Sequence, residues 1–177
     1  MIRITGGTYR SRLLDTPSGT LTKPTMDKVR SAVFSALSNR IIGAKVLDLF
    51  AGSGSYGFES LSRGASHVTF VDKSYEAYST IKNNAKKLNC TNFTAEFGDS
   101  MLYLSANNHV FDIVFVDPPY KLEAYEDVVK TLLERKLLSD SGIIVLESER
   151  ELNIDNSQFK DVRFYKYGLA KIYILRK

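Results

Sequence analysis

From Lys45 to Glu147 the chain alternates two kinds of hydrophobic pattern. Short runs in which most positions are apolar, Val46–Phe50, His67–Val71, Phe93–Phe97, Phe111–Val116 and Ile143–Glu147, predict buried strands. Between them come segments suited to helices, over about 55–63, 74–88, a short stretch after Asp99, and about 123–135. Strands alternating with helices predict a parallel sheet covered on both faces. The rhythm breaks at the end, where Val162–Tyr167 and Ala170–Leu175, separated by Gly168, predict an antiparallel hairpin. It differs at the start too. Ile2 and Ile4 alternate with Arg3 and Thr5 until Gly6-Gly7, so Met1–Leu14 reads as two short strands about a turn. Pro24-Thr25 then opens a helix, with Thr25 as N-cap, Asp27 in the first turn, and an apolar stripe of Val29, Ala32, Val33, Ala36 and Leu37. Gly43 closes that unit. The expectation is a single α/β domain over 1–177, with a hairpin-and-helix extension at 1–43 and the sheet at 44–177.

Composition adds little to this and excludes a good deal. With 44% hydrophobic and 25% charged residues, 177 residues can bury a real core, so disorder and disulfide-stapled miniproteins are excluded. A single cysteine, Cys90, cannot form an internal bridge. No apolar run approaches the roughly 20 residues that span a bilayer. Met1–Arg12 has no apolar core of the kind a signal peptide carries. A cytoplasmic, soluble protein without a membrane partner is expected. The net charge of +4 is unevenly spread. Residues 1–45 carry eight bases, Arg3, Arg10, Arg12, Lys23, Lys28, Arg30, Arg40 and Lys45, against only Asp15 and Asp27. Such a segment either faces a polyanion or is a solvated basic surface, and charge alone does not choose.

The first cluster of chemical interest is Asp48-Leu49-Phe50-Ala51-Gly52-Ser53-Gly54, continuing to Gly57. The glycines fit G-x-G-x-x-G between a strand and a helix, and Asp72 stands twenty residues beyond Gly52. This Rossmann-like pattern lets backbone approach a nucleotide, while Asp72 at a strand end suits ribose hydroxyls. Asp48 beside the loop would repel a pyrophosphate and favour a cation. S-adenosylmethionine, with a sulfonium, an ammonium and no phosphate, fits better than a nicotinamide dinucleotide.

The second cluster is Asp117-Pro118-Pro119-Tyr120, just past the fourth buried strand. Ligands in open α/β sheets bind at the carboxyl ends of strands, so this segment is expected in the same crevice as the glycine loop. Consecutive prolines remove N–H donors and leave rigid carbonyl acceptors. An exocyclic amine of a nucleobase offers two N–H donors and a π face. Asp117 and the Pro118 carbonyl can accept the first, and Tyr120 can stack on the second for roughly 1–3 kcal/mol.

Asp-Pro-Pro-Tyr resembles the signature of amino-methyltransferases, and Asp48–Gly54 is similar to their cofactor motif. The segments 3–12 (RITGGTYRSR), 23–30 (KPTMDKVR) and 61–65 (LSRGA) narrow the likeness. Together they resemble the RsmD family, bacterial methyltransferases of 16S ribosomal RNA acting on guanine N2. The resemblance covers nearly the whole chain. It implies a class I methyltransferase sheet of seven strands, the last antiparallel. It also implies S-adenosylmethionine as cofactor, held by Asp48, Ala51, Gly52, Ser53 and Gly54 around the methionine part, Asp72 and Lys73 near the ribose, and Asp99 with Ser100 at the adenine. Asp117, Pro118, Pro119 and Tyr120 would act on the amine, and Arg3, Arg10, Arg12, Lys23 and Arg30 would meet RNA. The chain departs from the family at Ser55-Tyr56, where Ala-Leu is usual, and in having Ser74 where an acid often follows Asp72.

The expected reaction is direct methyl transfer to an unpaired or flipped guanine of ribosomal RNA, free or in a small-subunit assembly particle, by a monomer. An adenine-N6 methyltransferase, a nicotinamide-linked oxidoreductase and a non-enzymatic RNA-binding module are the alternatives. No Cys/His cluster suggests a metal. His67, His109 and Cys90 read as structural, and Glu147 and Glu149 face either the crevice or solvent.

Overall fold

The computed structural model describes residues 1–18, 24–119 and 124–177, with backbone alone at 24–26. A two-stranded antiparallel ribbon, β1 (Ile2–Arg3) and β2 (Leu13–Leu14), precedes helix α1 (Pro24–Leu37) and a 3₁₀ turn at Ser38–Ile41. The alternating region follows: β3 (Lys45–Leu49), α2 (Ser55–Ser62), β4 (His67–Asp72), α3 (Tyr75–Leu88), β5 (Phe93–Phe97), α4 (Ser100–Ala106), β6 (Phe111–Val116), α5 (Tyr125–Glu134) and β7 (Leu138–Ser148). A hairpin of β8 (Asp161–Tyr167) and β9 (Ala170–Arg176) ends the chain.

The seven-stranded sheet has the order β5-β4-β3-β6-β7-β9-β8. Neighbours are parallel from β5 to β7, whereas β9 runs antiparallel to both β7 and β8. The strand period of two divides the apolar runs between two layers. Val46, Phe70, Ile113, Phe115 and Val145 pack beneath α1, α2 and α3. Leu47, Leu49, Val114, Val116 and Leu146 pack against α4 and α5 on the other face.

Several boundaries differ from the sequence expectation, among them those of α1, α5 and β7. α1 begins at Pro24, one residue ahead of Thr25, because a proline in the first turn lacks only an N–H that no intrahelical acceptor would use. α5 begins at Tyr125 rather than Glu123. β7 begins at Leu138, with a register shift against β6 between Phe111 and Ile113 that absorbs the polar Ser139–Gly142 stretch.

The N-terminal ribbon is held by a buried glutamate in α2. Glu59 is wholly buried and accepts from the Thr5 N–H, the Thr5 hydroxyl and the Gly6 N–H at 2.7–2.9 Å, and from Arg63 Nε at 2.8 Å. A Cβ on Gly7 would stand 1.8 Å from the Ser62 carbonyl oxygen, and its φ is +77°. Only glycine lets the ribbon lie on the end of α2, where the Thr8 N–H caps that carbonyl at 2.7 Å.

Candidate active site

β3 and β6 are adjacent, but successive strands run outward from them in opposite directions, so their C-terminal ends open a crevice. The glycine loop leaves β3 at that point and Asp117-Pro118-Pro119 leaves β6. A cavity of about 250 Å³ there is lined by Phe50, Gly52, Asp72, Lys73, Asp99, Ser100, Asp117 and Pro119. All but Phe50 were expected at the site. Phe50 reaches it through a left-handed backbone, φ +58°, a conformation costing roughly 1–2 kcal/mol for a residue with a Cβ.

Two acids hold the glycine loop and the first turn of α2. The Gly52 N–H donates to Asp72 Oδ2 and the Ser74 N–H to Asp72 Oδ1, both at 2.8 Å, which fixes the carboxylate at the cavity wall. The Gly57 N–H donates to Asp48 Oδ2 at 2.9 Å. Two fingerprint amides are thus engaged by acids and are not free to cradle a pyrophosphate. The glycines also differ in duty. A Cβ on Gly57 would lie 2.1 Å from the Phe70 ring, and one on Gly54 2.8 Å from the Phe58 ring. These two glycines let α2 lie close to β4. Gly54 therefore serves packing, whereas Gly52 leaves open space on its side of the loop. A Cβ on Gly52 meets nothing nearer than the Phe50 carbonyl oxygen at 4.0 Å.

Ala51 and Ser53 are buried in the loop rather than in the cavity wall. Wholly buried Asn84 of α3 ties the loop down by donating to the Ser53 and Asp15 carbonyls at 3.2 and 3.0 Å. Its oxygen accepts from the Asp15 N–H at 2.8 Å. Nothing in the sequence marked it. Asp99 caps α4, accepting from the Met101 and Leu102 amides at 2.9 and 3.0 Å, and Ser100 is buried behind it.

Acids gather where β3, β6 and β7 end. Asp48 is 3% exposed, and burial pushes its carboxyl up to about 8, with Asp72 adding to the rise and the Gly57 amide opposing it. Asp117 is held well above the usual carboxylate range by burial, then by Glu147 and Asp48. Burial also raises Glu147, against the Tyr56 hydroxyl and Arg30, which lower it. The Tyr56 hydroxyl donates to Glu147 Oε2 at 2.6 Å, and the Tyr125 hydroxyl to the Glu147 carbonyl at 2.8 Å. Glu147 thus belongs to the crevice, and Glu149 is exposed.

Arg3, Arg10 and Arg12 are exposed on the ribbon, Arg12 donating to the Lys87 carbonyl at 2.6 Å. Arg30 corrects the expectation of a phosphate contact. Its side chain is 3% exposed and bonds Asp27 at 2.8 Å, the Arg3 carbonyl at 2.5 Å and Glu59 at 3.4 Å. α1 packs its apolar stripe on the sheet and buries Arg30 with it. Lys23 and Tyr120 lie outside the described residues. His67 bonds Thr94 at 2.9 Å away from the crevice, and Cys90 is a buried thiol. Among the described residues no group of side chains could hold a metal ion, and no helix is long and apolar enough to cross a membrane.

The sheet order, the single antiparallel strand and the crevice at the order reversal are those of a class I methyltransferase. Residues 2–176 match the family described as Conserved hypothetical protein 95, which includes the RsmD methyltransferases, and the chain belongs to that family. It is 35% identical to "Putative rRNA methyltransferase YlbH" of Bacillus subtilis over 99% of both chains. It is also 35% identical to ribosomal RNA small subunit methyltransferase D of Escherichia coli, over 85% of this chain and 76% of that one. The solved structure titled "Putative methyltransferase yhhF" from Escherichia coli superposes with a TM-score of 0.89 at 31% identity, covering 99% of this chain and 97% of that one. At the level of fold alone, a T. thermophilus 16S rRNA N2 methyltransferase (RsmC) in complex with AdoMet and guanosine aligns with a TM-score of 0.68 at 20% identity. That alignment covers 90% of this chain and 44% of that one.

Proposed function

We propose that this protein transfers a methyl group from S-adenosylmethionine to the exocyclic N2 amine of a guanine in 16S ribosomal RNA. The observation that carries this reading is one cavity joining Gly52, Asp72 and Asp99 to Asp117 and Pro119. The ribosomal RNA methyltransferases among the relatives support RNA as substrate, and the AdoMet and guanosine in the RsmC structure support the cofactor and the base.

Bound S-adenosylmethionine supplies a methyl group made electrophilic by a positively charged sulfur. The residues present fit it. Gly52 offers the cavity no side chain. Each Asp72 oxygen keeps a lone pair for a ribose hydroxyl beyond the backbone amide it accepts. Asp99 and Ser100 would serve the adenine. Asp48 lies buried beneath the loop with its carboxyl raised to about 8, so it favours a cation over a phosphate once it ionises. On the substrate side, Asp117 and the Pro118 carbonyl accept the amine N–H groups, hold the nitrogen in line and stabilise its developing positive charge. Tyr120 would stack on the base, which must be unpaired to enter. The protein acts as a cytoplasmic monomer whose 1–43 extension meets the RNA through Arg3, Arg10 and Arg12.

Incubating the protein with S-adenosylmethionine and unmodified 16S ribosomal RNA, naked or in small-subunit particles, tests this by mass spectrometry of the digested nucleosides. N2-methylguanosine is expected. N6-methyladenosine would replace guanine by adenine in the reading, and no methylated nucleoside with either substrate would overturn it.

A further inference from the structure

Two carboxyl groups and a phenol stand together at the ends of β6 and β7. Val116 pairs with Leu146 in the parallel register, so Asp117 and Glu147 occupy the next position on neighbouring strands. Phe115 and Val145, two residues earlier, both pack in the layer beneath α1 and α2. The strand period sends Asp117 and Glu147 toward that same side. There α2 supplies Tyr56, whose hydroxyl is 2.6 Å from Glu147 Oε2 and whose ring is locked by stacking on Phe115 at 4.7 Å.

We infer that Asp117 and Glu147 work as one proton-accepting pair in methyl transfer, with Asp117 at the amine, Glu147 behind it, and Tyr56 as the positioning residue that holds Glu147. The inference rests on the methyltransferase reading above. In that reaction the amine nitrogen forms a bond to the methyl carbon as the sulfur–carbon bond breaks, and the electron pair of the broken bond stays on sulfur. The nitrogen is left positively charged and must lose one proton.

Two enclosed carboxyls do not both ionise readily, so the pair rests with one proton and one negative charge. The groups facing the pair decide where each resides. Tyr56 from α2 and the positive field of Arg30 from α1 favour the charge on Glu147. Burial and the Asp48 carboxyl from β3 favour the proton on Asp117. Among the described residues, Tyr125 from α5 and Arg150 beyond β7 complete the ionisable surroundings. As Asp117 accepts the amine proton, its own moves to Glu147. The pair ends neutral, as do the methylated amine and the sulfur, and charge balances.

Glu147→Gln and Tyr56→Phe in the full chain test the pair, after thermal unfolding confirms that each folds. In single turnovers the wild-type rate rises with pH as the pair gains its one charge. Glu147→Gln is expected to slow transfer about 10²-fold, the scale of a lost acid–base group. It should also move the rise to higher pH, since the charge must then sit on Asp117. Tyr56→Phe should move the rise the same way, with the rate recovering above it. A purely structural role would lower the rate and leave the rise in place. A second readout needs no RNA. In the free protein, the infrared band of the protonated carboxyl in the pair should be lost on alkaline titration at lower pH in Glu147→Gln, because Asp117 is freed of a like charge. An unchanged midpoint overturns the pair whatever the RNA assay gives. A shifted midpoint in a wild type that makes no N2-methylguanosine removes only the functional reading.

Discussion

Arg30 Nε lies 3.4 Å from Glu59 Oε2, with side-chain exposures of 3% and 0%, and this buried pair joins α1 to α2 and to the N-terminal ribbon. Breaking one partner of such a pair strands the other charge and typically costs about 3–5 kcal/mol. Glu59→Ala is therefore expected to lower stability by about that much in urea unfolding, more than Arg63→Ala, whose side chain is partly exposed. A loss within about 1 kcal/mol of wild type would show that Arg30 and Arg63 find other acceptors.

Substitutions at the two kinds of glycine are expected to separate binding from folding. Gly57→Ala places a methyl group against the Phe70 ring and is expected to destabilise by about 1–3 kcal/mol, the usual cost of an overpacked core. Gly52→Ala strains a left-handed residue by roughly 1–2 kcal/mol and should leave the fold intact while weakening S-adenosylmethionine binding in calorimetry. Equal affinity in Gly52→Ala and wild type would place the ligand away from the loop.

Asp48 is expected to make stability and cofactor binding depend on pH in opposite senses. Its folded carboxyl titrates at about 8 against an unfolded value of 3.8, so the folded state holds the extra proton between those limits. Stability from this group is present at low pH and is lost as pH rises through about 8. Asp48→Asn should therefore gain stability over wild type increasingly from pH 5 to pH 9, by an amount on the order of a few kcal/mol. Binding of a sulfonium cation should instead tighten over the same range in the wild type only. Parallel urea midpoints for the two proteins at both pH values would remove Asp48 as the source.

Asp117→Asn keeps the shape of the cavity wall and one hydrogen-bond-accepting oxygen, but removes the carboxyl group that can carry negative charge and take a proton. Methyl transfer is expected to fall by about 10²–10³, the usual loss of one preorganised electrostatic partner at a reacting centre. Because Asp117 lines the same cavity as Gly52, cofactor affinity should be measured alongside. Near wild-type turnover would take Asp117 out of the reaction.

The ribbon arginines bear on RNA. Arg10→Gln with Arg12→Gln should reduce the salt slope of RNA affinity by roughly 0.7 per lost phosphate contact on a single strand, without changing cofactor binding. An unchanged slope returns the ribbon to an ordinary solvated surface.

The layers and the place of the crevice follow from the local pattern along the chain. The apolar runs of β3, β6 and β7 have no polar face to turn toward water, so they are interior strands, and turn-forming residues at their ends mark where a ligand can enter. Local spacing was enough for that, and the family likeness followed from the same segments. Boundaries where polar residues continue a strand, as at Ser139–Gly142 in β7, were not legible because no apolar period marks them. Which charges are buried and paired follows only from the fold. Arg30 looks from its sequence neighbours like any exposed base, but its acceptor Glu59 is 29 residues away on another helix. Glu147 acquires its place from Tyr56, 91 residues earlier, and Asn84 from a loop 31 residues before it. Gly52 and Gly57 read alike in a fingerprint, yet one faces a cavity and the other the Phe70 ring. A residue's type and period are properties of the chain, whereas its burial and its partner are set by what the fold brings beside it, and those govern its charge.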